Sequence, residues 1–244
     1  MRILSIGNSF SRDAHRYLHA IAQSAGKELE TVNLYIGGCP LERHWANIER
    51  DEAAYGEDRN GEETGRTLSV AQALREGPWD AVTLQQASHD SGWKDTYEPF
   101  LTQILAFLRE NAPGVPVWMH QTWAYEDDST HAAFARYHRS RAEMARRSQE
   151  AYRYFAALHG LPLIPSGEMI ERLRATPAFG PGGTKITRDG FHMSLDLGRF
   201  AVGCLFAARL AGADMEKVTF APEGTDEEML ALIRNTVAEV CRNE

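Results

Sequence analysis

Five short apolar runs alternate along this chain with segments whose apolar residues recur at helical intervals. The runs are Arg2 to Ile6, Thr31 to Ile36, Asp80 to Gln85, Pro116 to His120 and Leu161 to Ile164. Runs this short and this continuously apolar suit strands buried on both faces, as in a parallel sheet. The intervening segments supply the covering helices. Ser11 to Ala25 carries Leu18, Ile21 and Ala22 at helical spacing and stops at Gly26. Tyr97 to Asn111 carries the stripe Phe100, Ile104, Leu105 and Leu108. Thr67 to Arg75, Thr130 to His159, Gly167 to Ala175, Leu195 to Leu210 (with Ser194 as N-cap) and Thr225 to Cys241 read as further helices. Cys39 to Gly65 is polar and irregular, and reads as loop with a short helix around Leu41 to Asn47. The alternation predicts an α/β fold, with a five-stranded parallel sheet covered on both faces, in one domain over residues 1–244.

Composition narrows the function classes. A net charge of −8 argues against nucleic acid as partner, because phosphate binding calls for a basic patch. The basic run from Arg136 to Arg147 reads as the solvated face of a helix. Three cysteines, Cys39, Cys204 and Cys241, are odd in number and widely spaced, so they form neither a disulfide framework nor a zinc pattern. Ile3 to Ile6 is too short for a signal segment or a membrane span, so the expected setting is cytoplasmic, with no membrane partner. The sequence sets no oligomeric state.

In open α/β sheets, sites form beyond the C-terminal ends of the strands. Ser9, Gly38, Gln86 and Gln121 each fall just after a predicted strand. Ser9 sits in the turn Gly7-Asn8-Ser9 at a helix N-terminus, where free N–H groups favour developing negative charge. It reads equally as a helix cap or as a nucleophile, and Ser11 is the better cap. A serine nucleophile needs a base, and Asp189-Gly190-Phe191-His192 offers one. Gly190 lets the chain fold the carboxylate onto one ring nitrogen of His192, leaving the other for the serine. Taken alone, Asp189 and His192 also fit a surface turn, and no partner histidines stand at metal-ligand spacing.

An oxyanion site needs two or three donors. The Ser9 N–H, the Gly38 N–H and the Gln86 amide are the candidates, with Gln85, Ser88 and His89 as alternatives to Gln86. His44, Trp45, Trp93, His120, Gln121, Trp123 and Tyr125 fall in segments beyond strands. Of these, His44, Trp45, His120, Gln121 and Trp123 are the candidates for contacting a small-molecule or carbohydrate ester, and packing beneath loops fits each as well. A different class of reading has the Gly7 turn cradle a phosphate or nucleotide, but there is no G-x-G-x-x-G and no P-loop lysine.

Together these residues resemble the SGNH/GDSL hydrolase superfamily. Its Gly-Asp-Ser block appears as Gly7-Asn8-Ser9, its second-block glycine as Gly37-Gly38, and its Asp-x-x-His block as Asp189-Gly190-Phe191-His192. The stretches ILSIGNSFS, GGCPLERHW, LQQASHDSG, HQTWAY and DGFHMSLDLGRF look like one bacterial branch that resembles carbohydrate esterases. The resemblance implies a flavodoxin-like three-layer α/β/α sandwich and serine esterase chemistry through Ser9, His192 and Asp189, with no metal or cofactor. The third block departs from the family's Gly-x-Asn-Asp. An ungapped match puts His89 at the asparagine, whereas branches acting on acetylated sugars use a glutamine, which points to Gln86. A lipase or thioesterase of the same fold is the other enzyme reading.

Overall fold

β1 (Arg2–Gly7) is the middle strand of a seven-stranded sheet in the computed structural model, which describes residues 1–242. It pairs in parallel with β2 (Glu30–Tyr35) on one side and β5 (Ala81–Leu84) on the other. β6 (Val117–His120) and β7 (Leu163–Ile164) extend the sheet in parallel beyond β5. These are the five predicted parallel strands. Beyond β2, however, an antiparallel hairpin adds β3 (Tyr55–Arg59) and β4 (Glu62–Leu68). The sheet therefore has seven strands in the order β4-β3-β2-β1-β5-β6-β7, and the five-stranded expectation is corrected. The hairpin lies largely within the segment read as loop. β3 can be polar because its buried charges are paired, Asp58 with Arg12 and Glu57 with Arg59 and Arg66, and β4 because it is exposed over most of its length. The hairpin's turn is Asn60-Gly61, both at positive φ (51° and 83°), as a two-residue hairpin turn requires.

Side chains of β1 alternate between two cores, as a strand's period of two demands. Ile3 packs with α1 (Ser9–His15), α2 (Leu18–Ser24), α7 (Ser166–Arg174), α8 (Leu197–Ala211) and α9 (Glu227–Arg242). Leu4 and Ile6 pack with α3 (Leu41–Glu49), α4 (Val70–Arg75), α5 (Phe100–Asn111) and the later turns of α6 (Arg141–His159). The result is three layers with helices on both faces. Among the described residues, no helix is long and apolar enough to cross a membrane.

Several helix boundaries differ from expectation for local reasons. The first predicted helix starts earlier, at Ser9, and breaks at Arg16–Tyr17 into α1 and α2. Residues 130–159 break at His138 and Arg139, both with left-handed backbone, and Ser140 caps α6 after the break. Thr67 and Leu68 belong to β4, and Ser69 opens α4 with a reciprocal capping box. Asp196, not Ser194, stands at the N-cap of α8, although the Ser194 hydroxyl also accepts from Gly198 N–H.

Candidate active site

The order in which strands join the sheet switches sides between β1 and the parallel β5, so the crevice at their C-terminal ends is where this topology places a ligand. The turn leaving β1 is tight. A Cβ on Gly7 would lie 2.2 Å from Ser11 Oγ and 2.7 Å from Ser11 Cβ, so this position needs glycine. Asn8 is the N-cap of α1, and its Oδ1 accepts from the Phe10 N–H at 3.1 Å. That corrects the capping expectation for Ser11, whose buried Oγ lies 2.7 Å from Asn33 Oδ1. Ser9 is the first residue of α1 and half-buried, so it presents its hydroxyl at the helix N-terminus.

The predicted base comes from the other end of the chain. Thr187 and Met193 form an isolated antiparallel bridge, and Gly190, at φ +87°, turns the chain between them. Asp189 Oδ1 accepts the N–H groups of Phe191 (3.1 Å) and His192 (2.7 Å), while Oδ2 lies 2.6 Å from His192 Nδ1. His192 Nε2 lies 2.8 Å from Ser9 Oγ. With the Nδ1 proton facing the carboxylate, Nε2 is left to accept the serine proton. Partial burial pushes the Asp189 carboxyl upward. The His192 ring and the two backbone donors outweigh it, and the net direction is below the usual carboxylate range. Trp123 Nε1 donates to Phe191 O and Glu126 N–H to Gly190 O, fixing the segment's tip.

Gly38, the second donor expected, lies in the exposed turn after β2 at φ +60°, with open space where a side chain would stand. Asn8 ties this turn to the nucleophile, since its Nδ2 donates to Cys39 O at 3.2 Å. Gln85 holds Asn8 in that orientation through an Nε2 to Oδ1 bond of 2.7 Å, and His120 Nδ1 in turn donates to Gln85 Oε1 at 2.6 Å. Sequence reading missed Asn8 as a structural link. Its Asx-type placement ahead of a helix was the available signal.

Gln86 stands differently from expectation. It is fully buried, its Oε1 accepts from Leu41 and Ala87 N–H, and its Nε2 donates to Thr96 O. Its amide is thus committed to joining three loops. Of the alternatives, Gln85 is engaged as above and Ser88 bonds Tyr125. His89 is half-buried, stacks on His131 at 6.1 Å, and reaches His192 through His131 and Phe191.

Of the five candidate ligand contacts, the structure buries four, His44, His120, Gln121 and Trp123, against other side chains. His44 is buried against Tyr55, and His120 is buried against Gln85. Burial holds both imidazoles neutral, with pKa values pushed down to about 3. Gln121 is buried, with both ends of its amide on Glu168. Trp123 is buried and stacks on Phe10 at 4.1 Å, so it supports the site from beneath. Trp45 is half-buried, packed on the second core. The aromatic and amide residues Gln86, Gln121, Trp123 and Tyr125, which follow strands, are here buried. Among the described residues, no group of three or more His, Cys, Asp or Glu is placed to hold a metal ion.

Comparison with known proteins follows the same lines. The family model described as "Domain of unknown function (DUF4886)" matches residues 2–240. A DUF4886 family protein from Bacteroides uniformis is 32% identical with a TM-score of 0.93, over 99% of this chain and 95% of that one. A protein from Slackia heliotrinireducens, provisionally described as an SGNH hydrolase, is 25% identical with a TM-score of 0.55, over 87% and 98%. An acetylxylan esterase from Geobacillus stearothermophilus, 14% identical with a TM-score of 0.52 over 91% and 96%, is alike in fold. No curated protein matches. The chain, with its Gly7-Asn8-Ser9 and Asp189-x-x-His192 blocks meeting at one sheet switch point, belongs to the DUF4886 family, and its resemblance is to the SGNH/GDSL hydrolases.

Proposed function

We propose that this protein is a serine esterase that hydrolyses small acyl esters, acetyl esters foremost, with a carbohydrate as the alcohol. The observation that carries the reading is the hydrogen-bonded chain from Ser9 through His192 to Asp189. Ser9 Oγ attacks the ester carbonyl while His192 Nε2 takes its proton. Asp189 holds the ring tautomer and stabilises the imidazolium. The carbonyl oxygen, now an anion, is received by the N–H groups of Ser9 and Gly38. The tetrahedral intermediate collapses as the carbon–alcohol oxygen bond breaks, and His192 gives its proton to the leaving alcohol. Water, deprotonated by His192, then attacks the acyl-enzyme and releases the acid, returning the proton to Ser9.

The half-open setting supports a small acyl group on a bulky alcohol: the Asp189 side chain is 40% exposed and that of His192 20%. A sugar ester is also the substrate class in the name of the Geobacillus esterase of like fold. Purified protein is expected to hydrolyse aryl acetates and acetylated sugars. Ser9→Ala is expected to abolish that turnover with an unchanged circular dichroism spectrum. Unchanged turnover in Ser9→Ala would overturn the assignment. A rate maximum at eight or more acyl carbons would move it to a lipase or thioesterase.

A further inference from the structure

Asp13 follows Ser9 by four residues on α1, so the two side chains leave the same helix face. Its carboxylate is 1% exposed, and the hydrolytic cycle gives it no role. Oδ2 accepts the Met193 N–H at 2.9 Å, and Oδ1 accepts Arg199 Nε at 2.8 Å. Arg188 Nη1 reaches both oxygens, at 3.1 and 3.2 Å, and also donates to Met193 O. Arg188 directly precedes Asp189, and Met193 directly follows His192. One buried carboxylate therefore grips both flanks of the segment that carries base and orienter. Burying a carboxylate is costly unless it is paired and hydrogen-bonded, and here two guanidinium groups and a backbone donor satisfy it.

The Asp189–His192 segment belongs to no strand of the sheet, so the sheet does not set its distance from Ser9. Its outer tip is tied to Trp123 and Glu126, which lie after β6. Among the described residues, the hydrogen bonds joining it to the nucleophile's own helix run through Asp13, apart from the Ser9–His192 contact itself. We propose that Asp13 is a positioning residue that sets the Ser9–His192 distance and so the efficiency of proton transfer. This rests on the esterase reading above.

The test is a double-mutant cycle with kcat and KM measured on an aryl acetate. It compares wild type, Asp13→Asn, His192→Ala and the double variant. Asp13→Asn turns a donor toward the two arginines. It is expected to lower kcat by about 10- to 100-fold, as an ångström-scale misplacement does, with KM within about twofold. In the His192→Ala background the same change is expected to have no further effect. An equal fall in both backgrounds would show an effect that bypasses His192, and would overturn the proposal. If Asp13→Asn does not fold, Arg188→Gln is read by the same cycle and the same criterion. If wild type hydrolyses no ester, the esterase reading fails on its own. The positioning role is then decided by crystal structures of wild type and Asp13→Asn. A Ser9–His192 separation opened beyond about 3.5 Å upholds it, and an unchanged one refutes it.

Discussion

His192 Nε2 stands 2.8 Å from Ser9 Oγ although 183 positions separate the two residues in the chain. Such a contact exists only when β1 and the segment before α8 are docked on the same folded sheet. Asp189 holds His192 through one ring bond and one backbone bond, and accepts the neighbouring Phe191 N–H as well. Asp189→Asn keeps the shape but can present an amide to Nδ1 and favour the wrong tautomer. Its kcat is expected to fall by on the order of 10²- to 10⁴-fold, with KM little changed. Steady-state kinetics on an aryl acetate give the answer, and a fall under threefold would remove Asp189 from the mechanism.

Gln86 carries the opposite expectation. Gln86→Met keeps the volume but leaves the buried N–H groups of Leu41 and Ala87 without their acceptor. Each orphaned donor costs about 1–3 kcal/mol. Urea unfolding is therefore expected to shift to clearly lower denaturant, while kcat per folded molecule stays within about twofold. A large loss of kcat at unchanged stability would return Gln86 to the oxyanion site.

Asn8 joins the two turns proposed to supply oxyanion donors, capping the helix that starts at Ser9 and holding Cys39 O beside Gly38. Aspartate caps a helix as well as asparagine does, but it cannot donate to a carbonyl. Asn8→Asp is thus expected to keep the helix cap and lose the tie to the Gly38 turn. The measurable consequence is a kcat lower by about tenfold, roughly 1.4 kcal/mol of transition-state stabilisation, with a melting temperature close to wild type. Equal kcat in both proteins would show that the tie is unnecessary.

Three buried histidines make stability depend on pH. Burial is the leading cause of pKa values depressed to about 4 for His15 and about 3 for His44 and His120. Their ordinary value is 6.5. Between these limits the unfolded chain binds protons that the folded chain does not, so stability is fully present above pH 6.5 and drains away as pH falls. Each group contributes a slope of about 1.4 kcal/mol per pH unit. Urea unfolding free energies between pH 7 and pH 5 are expected to decline accordingly. His120→Gln is expected to decline less steeply, and identical slopes in the two proteins would rule out His120 as a contributor.

How much of this was legible in the sequence differs by residue. The parallel strands and the meeting of Ser9, His192 and Asp189 could be read because each depends on local grammar: an apolar run, a glycine turn, an Asp-x-x-His spacing. The hairpin was missed although Asn60-Gly61 is the strongest short hairpin signal, because polar strands show no apolar alternation. Its stability comes from pairing with β2 and from ion pairs that reach Arg12, across tens of residues. His44, His120, Gln121 and Trp123 misled for a related reason. Residue type shows what a side chain can contact, but burial is decided by neighbours from distant segments, such as Phe10 beneath Trp123 and Glu168 beside Gln121. Asp13 had no local signal at all, since its partners lie 175 or more positions away.

The β3–β4 hairpin joins the sheet at its rim, two strands away from the β1–β5 crevice. β4 is exposed over six of its seven residues and bears Glu62, Glu63 and Arg66 along the free edge. Charge along an open strand discourages pairing with another chain's backbone. The rim is thus a place where length and charge can drift while the β1–β5 crevice stays fixed. Sequence divergence within this family is accordingly expected to gather at the hairpin before it touches Ser9 or His192.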